Sequence, residues 1–222
     1  MTGYNIAMDQ KINKLIDFVD NLVRKIIRKI AIFLNWSSHE KITPKMITLC
    51  GVALHFIVAW FIISNHLVLA AILLVIFGLF DTLDGELARL QKSDSAAGSL
   101  LDATTDRFKE VILYSAIAYY FVHHHKSNFA VWAVMACGFS ICVSYVRAKG
   151  EATYLGLDKN TRNISRLFKA GLLRFEVRML ILVIGLLINE LTWAVVIIAV
   201  LSLYTAINRL ISISTKLNHD QA

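Results

Sequence analysis

The sequence predicts an all-α polytopic membrane protein, with six transmembrane helices preceded by an interfacial amphipathic helix. Three observations carry that expectation. The 222-residue chain is 57% hydrophobic, above the roughly half that is usual in soluble domains. Its apolar residues gather in runs close to the ~20 residues that cross a bilayer. Its basic residues alternate between the connections of those runs, as topology signals do.

The first element spans residues 9–34. Apolar residues recur there at Ile12, Leu15, Ile16, Val19, Leu22, Val23, Ile26, Ile27 and Ile30. Steps of three and four are the period of a helix. Lys11, Lys14, Arg24, Lys25, Arg28 and Lys29 fall on the other face. A basic amphipathic helix ahead of a first span belongs in the cytoplasmic interface; a partner-binding helix is the alternative. The N-terminus is polar and lacks the compact apolar core of a cleavable signal peptide.

Thr43-Pro44 suits the start of the next helix, with Thr43 as its cap and Pro44 at its first position. The six spans are Met46–Ser64, Leu67–Phe80 continued by an acidic motif, Leu100–Val122, Phe129–Val146, Met179–Ile188 with flanking residues, and Leu191–Ile211. The chain then divides into an interfacial helix and linker (1–42), a membrane domain (43–214) and a tail (215–222). Residues 153–173 read as a mixed, partly helical cytoplasmic connection.

Eight Lys/Arg precede the first span, and none lies in Asn65-His66 after it. Arg89, Lys92, Arg107 and Lys109 surround the next turn, and only Lys126 lies in the one after that. Eight more run from Arg147 to Arg178, Asn189-Glu190 has none, and Arg209 and Lys216 close the chain. This alternation predicts a multi-pass protein of the cell membrane with both termini and the acidic motif on the cytoplasmic side. The net charge of +7 is then a signal of topology and of anionic lipid. Nucleic acid is not implied, because no soluble face gathers these cations.

Cys50, Cys137 and Cys142 fall inside apolar spans with no CxxC spacing, which reads as small core residues without disulfides. His123-His124-His125 ends the third span. Consecutive helical residues point in different directions, so a polar helix end is expected rather than a metal site.

The stretch around which the chain is organised is Asp81-Thr-Leu-Asp84-Gly85-Glu-Leu-Ala88-Arg89, followed by Gly98-Ser-Leu-Leu-Asp102-Ala-Thr-Thr-Asp106. Asp81 and Asp84 are i,i+3 and Asp102 and Asp106 are i,i+4, so each pair shares one helix face. The polar residues 90–97 can reverse the chain, so two antiparallel helices would present four carboxylates to one point. A charge at the centre of a membrane helix costs roughly 2.5–3.5 kcal/mol on insertion scales, and four facing carboxylates also repel. Two divalent cations would remove both penalties. All-oxygen ligation suits Mg²⁺, with Mn²⁺ as the alternative, and a metal pair roughly 3.5–4 Å apart serves phosphoryl transfer. Gly85 and Ala88 leave room for a ligand beside this face, and Arg89 can reach phosphate oxygens.

These residues resemble, position for position, the signature of the CDP-alcohol phosphatidyltransferase family, D-x2-D-G-x2-A-R-x8-G-x3-D-x3-D. The resemblance implies attack of an alcohol hydroxyl on the lipid-side phosphorus of CDP-diacylglycerol, with release of CMP. It implies that Asp81 and Asp102 bind both metals, that Asp84 holds one, and that Asp106 contributes to the other and acts as base for the hydroxyl. Gly85, Arg89 and Ser95 would contact the CDP moiety, with Ala88, Thr43 and Pro44 beside them. Lys45 stands where relatives often carry Asn. A homodimer is also implied.

Ser144-Tyr-Val-Arg147-Ala-Lys149-Gly-Glu-Ala152 resembles Ser-Tyr-Val-Lys-Ala-Arg-Gly-Glu-Ala of the phosphatidylinositol phosphate synthases in that family, with Arg and Lys exchanged. The resemblance implies an acceptor-phosphate pocket of Arg147, Lys149, Arg178 and Arg209. The Glu-Arg-Pro-Glu-Arg that often precedes the fifth span is replaced by Arg174-Phe-Glu-Val-Arg178. Two other readings stay open: glycerol 3-phosphate as the acceptor, and a divalent-cation carrier using the carboxylates as its path.

Overall fold

The computed structural model describes residues 25–157 and 175–220. Every regular element among them is a helix: α1 (residues 25–37), α2 (Pro44–Ile63), α3 (Leu67–Leu90), α4 (Ala96–His123), α5 (Ser127–Leu157), α6 (Phe175–Leu187) and α7 (Leu191–Asp220). Of the amphipathic helix expected over 9–34, residues 25–34 are helical, and 9–24 lie outside the described residues. Most of the 153–173 connection also lies outside them.

Local chemistry explains where the helices begin and end. Thr43 caps α2, its Oγ1 accepting the Met46 amide at 3.4 Å, and Pro44 takes the first helical position, where its missing N–H is not needed. Ser95 caps α4, accepting the Gly98 amide at 3.1 Å. Four helices end without glycine. Asn65, Lys92, His125 and Asn189 adopt φ of 50–60°, and the amide after each bonds back five residues, as in Ser93 to Ala88 O (3.0 Å) and Glu190 to Gly185 O (2.8 Å). This is the Schellman closure.

Among the described residues, four helices are long and apolar enough to cross a membrane: α2, α3, and the stretches Ser127–Thr153 and Leu191–Thr215 of α5 and α7. The described residues are all-helical, and their several long apolar helices are those of a multi-pass membrane protein. The other two expected spans differ for physical reasons. The 28-residue α4 is long enough, but its first half is charged. Of α6, 13 residues fall among the described ones, about 20 Å at 1.5 Å per residue. Both α5 and α7 outrun their apolar cores, because helical hydrogen bonding continues where hydrophobicity stops. Arg147 and Lys149 therefore lie within α5, and residues 215–220 of the expected tail continue α7. Large side chains such as Phe56, Trp60, Val134 and Trp193 are exposed on the helices, which a bilayer accommodates and water does not. Cys50 and Cys142 are exposed as well and Cys137 is half-buried, all as free thiols. This corrects the core reading: a lipid-facing helix surface is as apolar as a core, and the sequence alone does not separate the two.

The chain forms two compact units. In the first (to residue 54, and 76–106), Ile27 and Ala31 of α1 pack with Ile47 of α2 and Leu83 and Leu87 of α3. Ile27, Ala31 and the partly buried Leu34 recur at i, i+4, i+7, one face of a helix. In the second (55–75 and from 107), α7 packs along α5 and against α6. Gly185 of α6 lies directly against Ala194 of α7, close enough that a side chain there would collide.

Candidate active site

Three of the four motif aspartates converge. Asp81 on α3 and Asp102 and Asp106 on α4 each offer a carboxylate oxygen, and these oxygens lie within 4.8 Å of one another. The five-residue connection 91–95, opening with a turn at Gln91-Lys92, reverses the chain between the two helices. The i,i+4 spacing of Asp102 and Asp106 then does what helical register requires. Asp81 and Asp106 are partly buried and Asp102 is exposed. The donor set is oxygen only and water can reach it, which suits a hard divalent cation such as Mg²⁺ or Mn²⁺. Among the described residues no other such cluster of three occurs. The histidines at the far end of α4 do not form one: His123 stacks on Tyr119 and His124 on Tyr120.

Asp84 is arranged differently from the other three. It is buried, and its Oδ2 accepts a hydrogen bond of 2.5 Å from the Thr48 hydroxyl of α2. Thr48 is also 3.1 Å from Pro44 O, but its single hydrogen favours the shorter contact with the carboxylate. The expectation of four acids meeting at one point is thereby refined to three in a cluster and one held a turn further along α3.

Asp84 and Asp102 both line a cavity of about 820 Å³ within the first unit. Of the residues expected to contact a CDP-lipid, Thr43, Pro44, Gly85, Ala88 and Ser95 line it too. A Cβ on Gly85 would meet only the Arg89 guanidinium at 3.7–3.9 Å, so the glycine leaves cavity space rather than relieving a clash. Arg89 is half-exposed and pairs with Glu86 at 2.7 Å. Lys45 is on the wall as well, as is Gln91. The Gln91 amide donates to Asn35 Oδ1 (2.8 Å) and to Ile42 O (2.9 Å), tying the end of α1 and its linker to the cavity rim. The sequence reading assigned no role to Thr48 or Gln91. Their partners are 36 and 56 residues away, and no local pattern announces such contacts.

The four cations expected to hold an acceptor phosphate lie in the second unit. Lys149 is exposed on α5, and Arg147 pairs with Glu151 at 2.9 Å. Arg209 is buried and donates to Val143 O at 3.1 Å. Arg178 is fully buried and pairs with the equally buried Glu110 at 2.8 Å. The sequence reading assigned no role to Glu110, which directly precedes the apolar run 111–122; its place within the expected third span was the available signal, since ionisable residues in membrane helices mark functional positions.

Comparison with known proteins completes the picture. The family model described as CDP-alcohol phosphatidyltransferase matches residues 41–207. The chain is 33% identical over 183 residues to the phosphatidylinositol phosphate synthase of Corynebacterium glutamicum, across 77% of each protein. It is 28% identical over 182 residues to that of Mycobacteroides abscessus, across 78% of each. The crystal structure of Mycobacterium tuberculosis phosphatidylinositol phosphate synthase with CDP-DAG bound superposes with a TM-score of 0.73 at 24% identity, covering 85% of this chain and 94% of that one. A structure of the same enzyme in complex with manganese and citrate also gives 0.73 at 24%, covering 85% and 89%. At that identity the structural likeness establishes a shared fold.

Proposed function

The chain belongs to the CDP-alcohol phosphatidyltransferase family, and on that premise we propose that it transfers the phosphatidyl group of CDP-diacylglycerol to inositol phosphate. The products are phosphatidylinositol phosphate and CMP. The observation that carries this reading is the oxygen cluster of Asp81, Asp102 and Asp106 on the helices whose Asp84 and Asp102 line the large cavity. The relatives' names supply the acceptor.

Asp81 and Asp102 would hold two Mg²⁺ or Mn²⁺ ions, with Asp84 on one and Asp106 on the other. Such ions supply charge neutralisation for the diphosphate and polarise the reacting phosphorus. The chain's own groups do the rest. Thr43, Pro44, Gly85, Ala88 and Ser95 enclose the CDP moiety, and Arg89 reaches the phosphates once it leaves Glu86. Asp106 accepts the proton of the acceptor hydroxyl. That oxygen bonds to the lipid-side phosphorus as the bond to CMP breaks, and CMP departs with the electron pair. A carboxylate is a weak base near neutral pH, so positioning has to supply much of the rate. Arg147, Lys149, Arg178 and Arg209 bind the acceptor's phosphate.

The membrane arrangement follows from the same reading. All six long apolar segments span, with α4 carrying its acids at the water side. The termini and the carboxylates face the cytoplasm in this reading, which the alternation of the basic connections supports. The exposed Ile26, Ile30, Phe33 and Trp36 of α1, beside Lys25, Arg28 and Lys29, lie in that interface. The enzyme works as a homodimer. Acyl chains then stay in lipid while the diphosphate and the soluble alcohol meet at the water side.

The test is CMP release by purified full-length protein given CDP-diacylglycerol and Mg²⁺, with inositol phosphate, glycerol 3-phosphate and no acceptor in parallel. Release with inositol phosphate above the other two is expected. Release only with glycerol 3-phosphate would overturn the acceptor. Cation flux in liposomes with no CMP release would overturn the enzyme reading.

A further inference from the structure

Within the second unit, one polar chain joins α4, α5 and α6, and a separate contact beside it joins α5 to α7. The Glu110 Oε1 accepts a hydrogen bond from Arg178 Nε at 2.8 Å and lies 2.8 Å from one terminal nitrogen of the same guanidinium as an ion pair. Its Oε2 lies 3.1 Å from the Arg107 guanidinium. Arg107 in turn donates to the Ser144 hydroxyl of α5 and stacks over the Phe175 ring at 5.4 Å. Next to Ser144, the Val143 carbonyl accepts from Arg209. Phe175 and Arg178 share one face of α6 at i,i+3, so the first turn of that helix meets α4 through residues 107–110.

Each oxygen of Glu110 therefore serves a different arginine, and turning the carboxylate would move both. Burial of such a triad is weak evidence for stability, because apolar replacements of similar volume are often neutral or better. A guanidinium that grips phosphate in a fork does need a defined plane. We propose that Glu110 is the positioning residue of the acceptor pocket: held between Arg107 and Arg178, it sets the plane of the Arg178 guanidinium and so the affinity for the acceptor's phosphate, touching neither substrate. This rests on the reading of Arg178 as a phosphate contact.

The experiment compares Glu110→Gln, Glu110→Asp, Arg178→Gln and the double Glu110→Gln/Arg178→Gln in full-length protein in lipid nanodiscs. KM is measured for inositol phosphate and, separately, for CDP-diacylglycerol. Glu110→Gln raises the acceptor KM about tenfold, within the coupling expected of residues in contact, and leaves the CDP-diacylglycerol KM within about twofold. Glu110→Asp recovers part of the loss. The double variant has no higher acceptor KM than Arg178→Gln alone, which keeps the test valid if the single Glu110→Gln does not fold. An unchanged acceptor KM in Glu110→Gln, or an equal rise in both KM values, overturns the proposal. So does a double variant with the sum of both single effects. If Arg178→Gln itself leaves the acceptor KM unchanged, the phosphate role of Arg178 falls, and this proposal falls with it.

Discussion

Replacing Thr48 by Val tests the proposal that Asp84 is held ready for a metal. The two side chains have nearly the same shape, so the change removes a hydroxyl and little else. What is lost is the 2.5 Å bond from α2 to the Asp84 carboxylate, with both residues buried. A hydrogen bond to a charged group contributes roughly 1.5–3 kcal/mol. If that bond orients Asp84 for the ion, and 1.4 kcal/mol is a factor of ten, Mn²⁺ affinity falls about ten- to hundredfold. Loss of an outer partner of a metal ligand usually costs a similar roughly 10–100-fold. The assay is calorimetric titration of Mn²⁺ into purified protein, with thermal unfolding as a check on the fold. Thr48→Ser keeps the hydroxyl and stays within about threefold of the parent. A folded Thr48→Val protein that binds Mn²⁺ as tightly as the parent would refute this role for the hydrogen bond. If Asp84→Asn also bound normally, Asp84 would not be a ligand at all.

Three further outcomes follow from the same structure. Asp106→Asn abolishes CMP release while leaving the unfolding temperature close to the parent's; retained turnover would remove Asp106 from the base role. Gly85→Ala is tolerated by the fold, because its Cβ meets only Arg89 at ordinary contact distance and alanine favours helix by up to about 1 kcal/mol. The methyl group faces the cavity, however, so the KM for CDP-diacylglycerol rises, and an unchanged KM would place the nucleotide elsewhere. Gly185→Ala drives a methyl group into Ala194 and destabilises by about 1–3 kcal/mol, as overpacking does. Thermal unfolding in nanodiscs would show the loss, and a midpoint equal to the parent's would mean that α6 and α7 can separate without cost.

What the sequence made legible was mostly local. Asp81, Asp102 and Asp106 converge because the four-residue spacing of Asp102 and Asp106 puts both on one helix face and a short polar connection turns that helix back beside Asp81. Thr43 and Pro44 start α2 as their chemistry requires. Helix ends were harder: Asn65, Lys92, His125 and Asn189 close theirs in the left-handed region without the glycine that usually marks such a site. Apolar runs understated α5 and α7, which continue as helix beyond the hydrophobic stretch. Long-range pairings were not legible at all. Thr48 with Asp84, Gln91 with Asn35, and Glu110 with Arg178 depend on which helix faces lie together, and periodicity leaves that undetermined. Arg178 was read as a phosphate contact from the family resemblance, and in the folded protein it is also the buried partner of Glu110.

Anomalous diffraction at the manganese edge, from crystals of the full-length protein grown with Mn²⁺, tests the central claim most directly. Two peaks roughly 3.5–4 Å apart are expected, ligated by Asp81, Asp102 and Asp106 with Asp84 on one of them. Manganese bound elsewhere, or none with these carboxylates turned toward separate surroundings, would contradict the account.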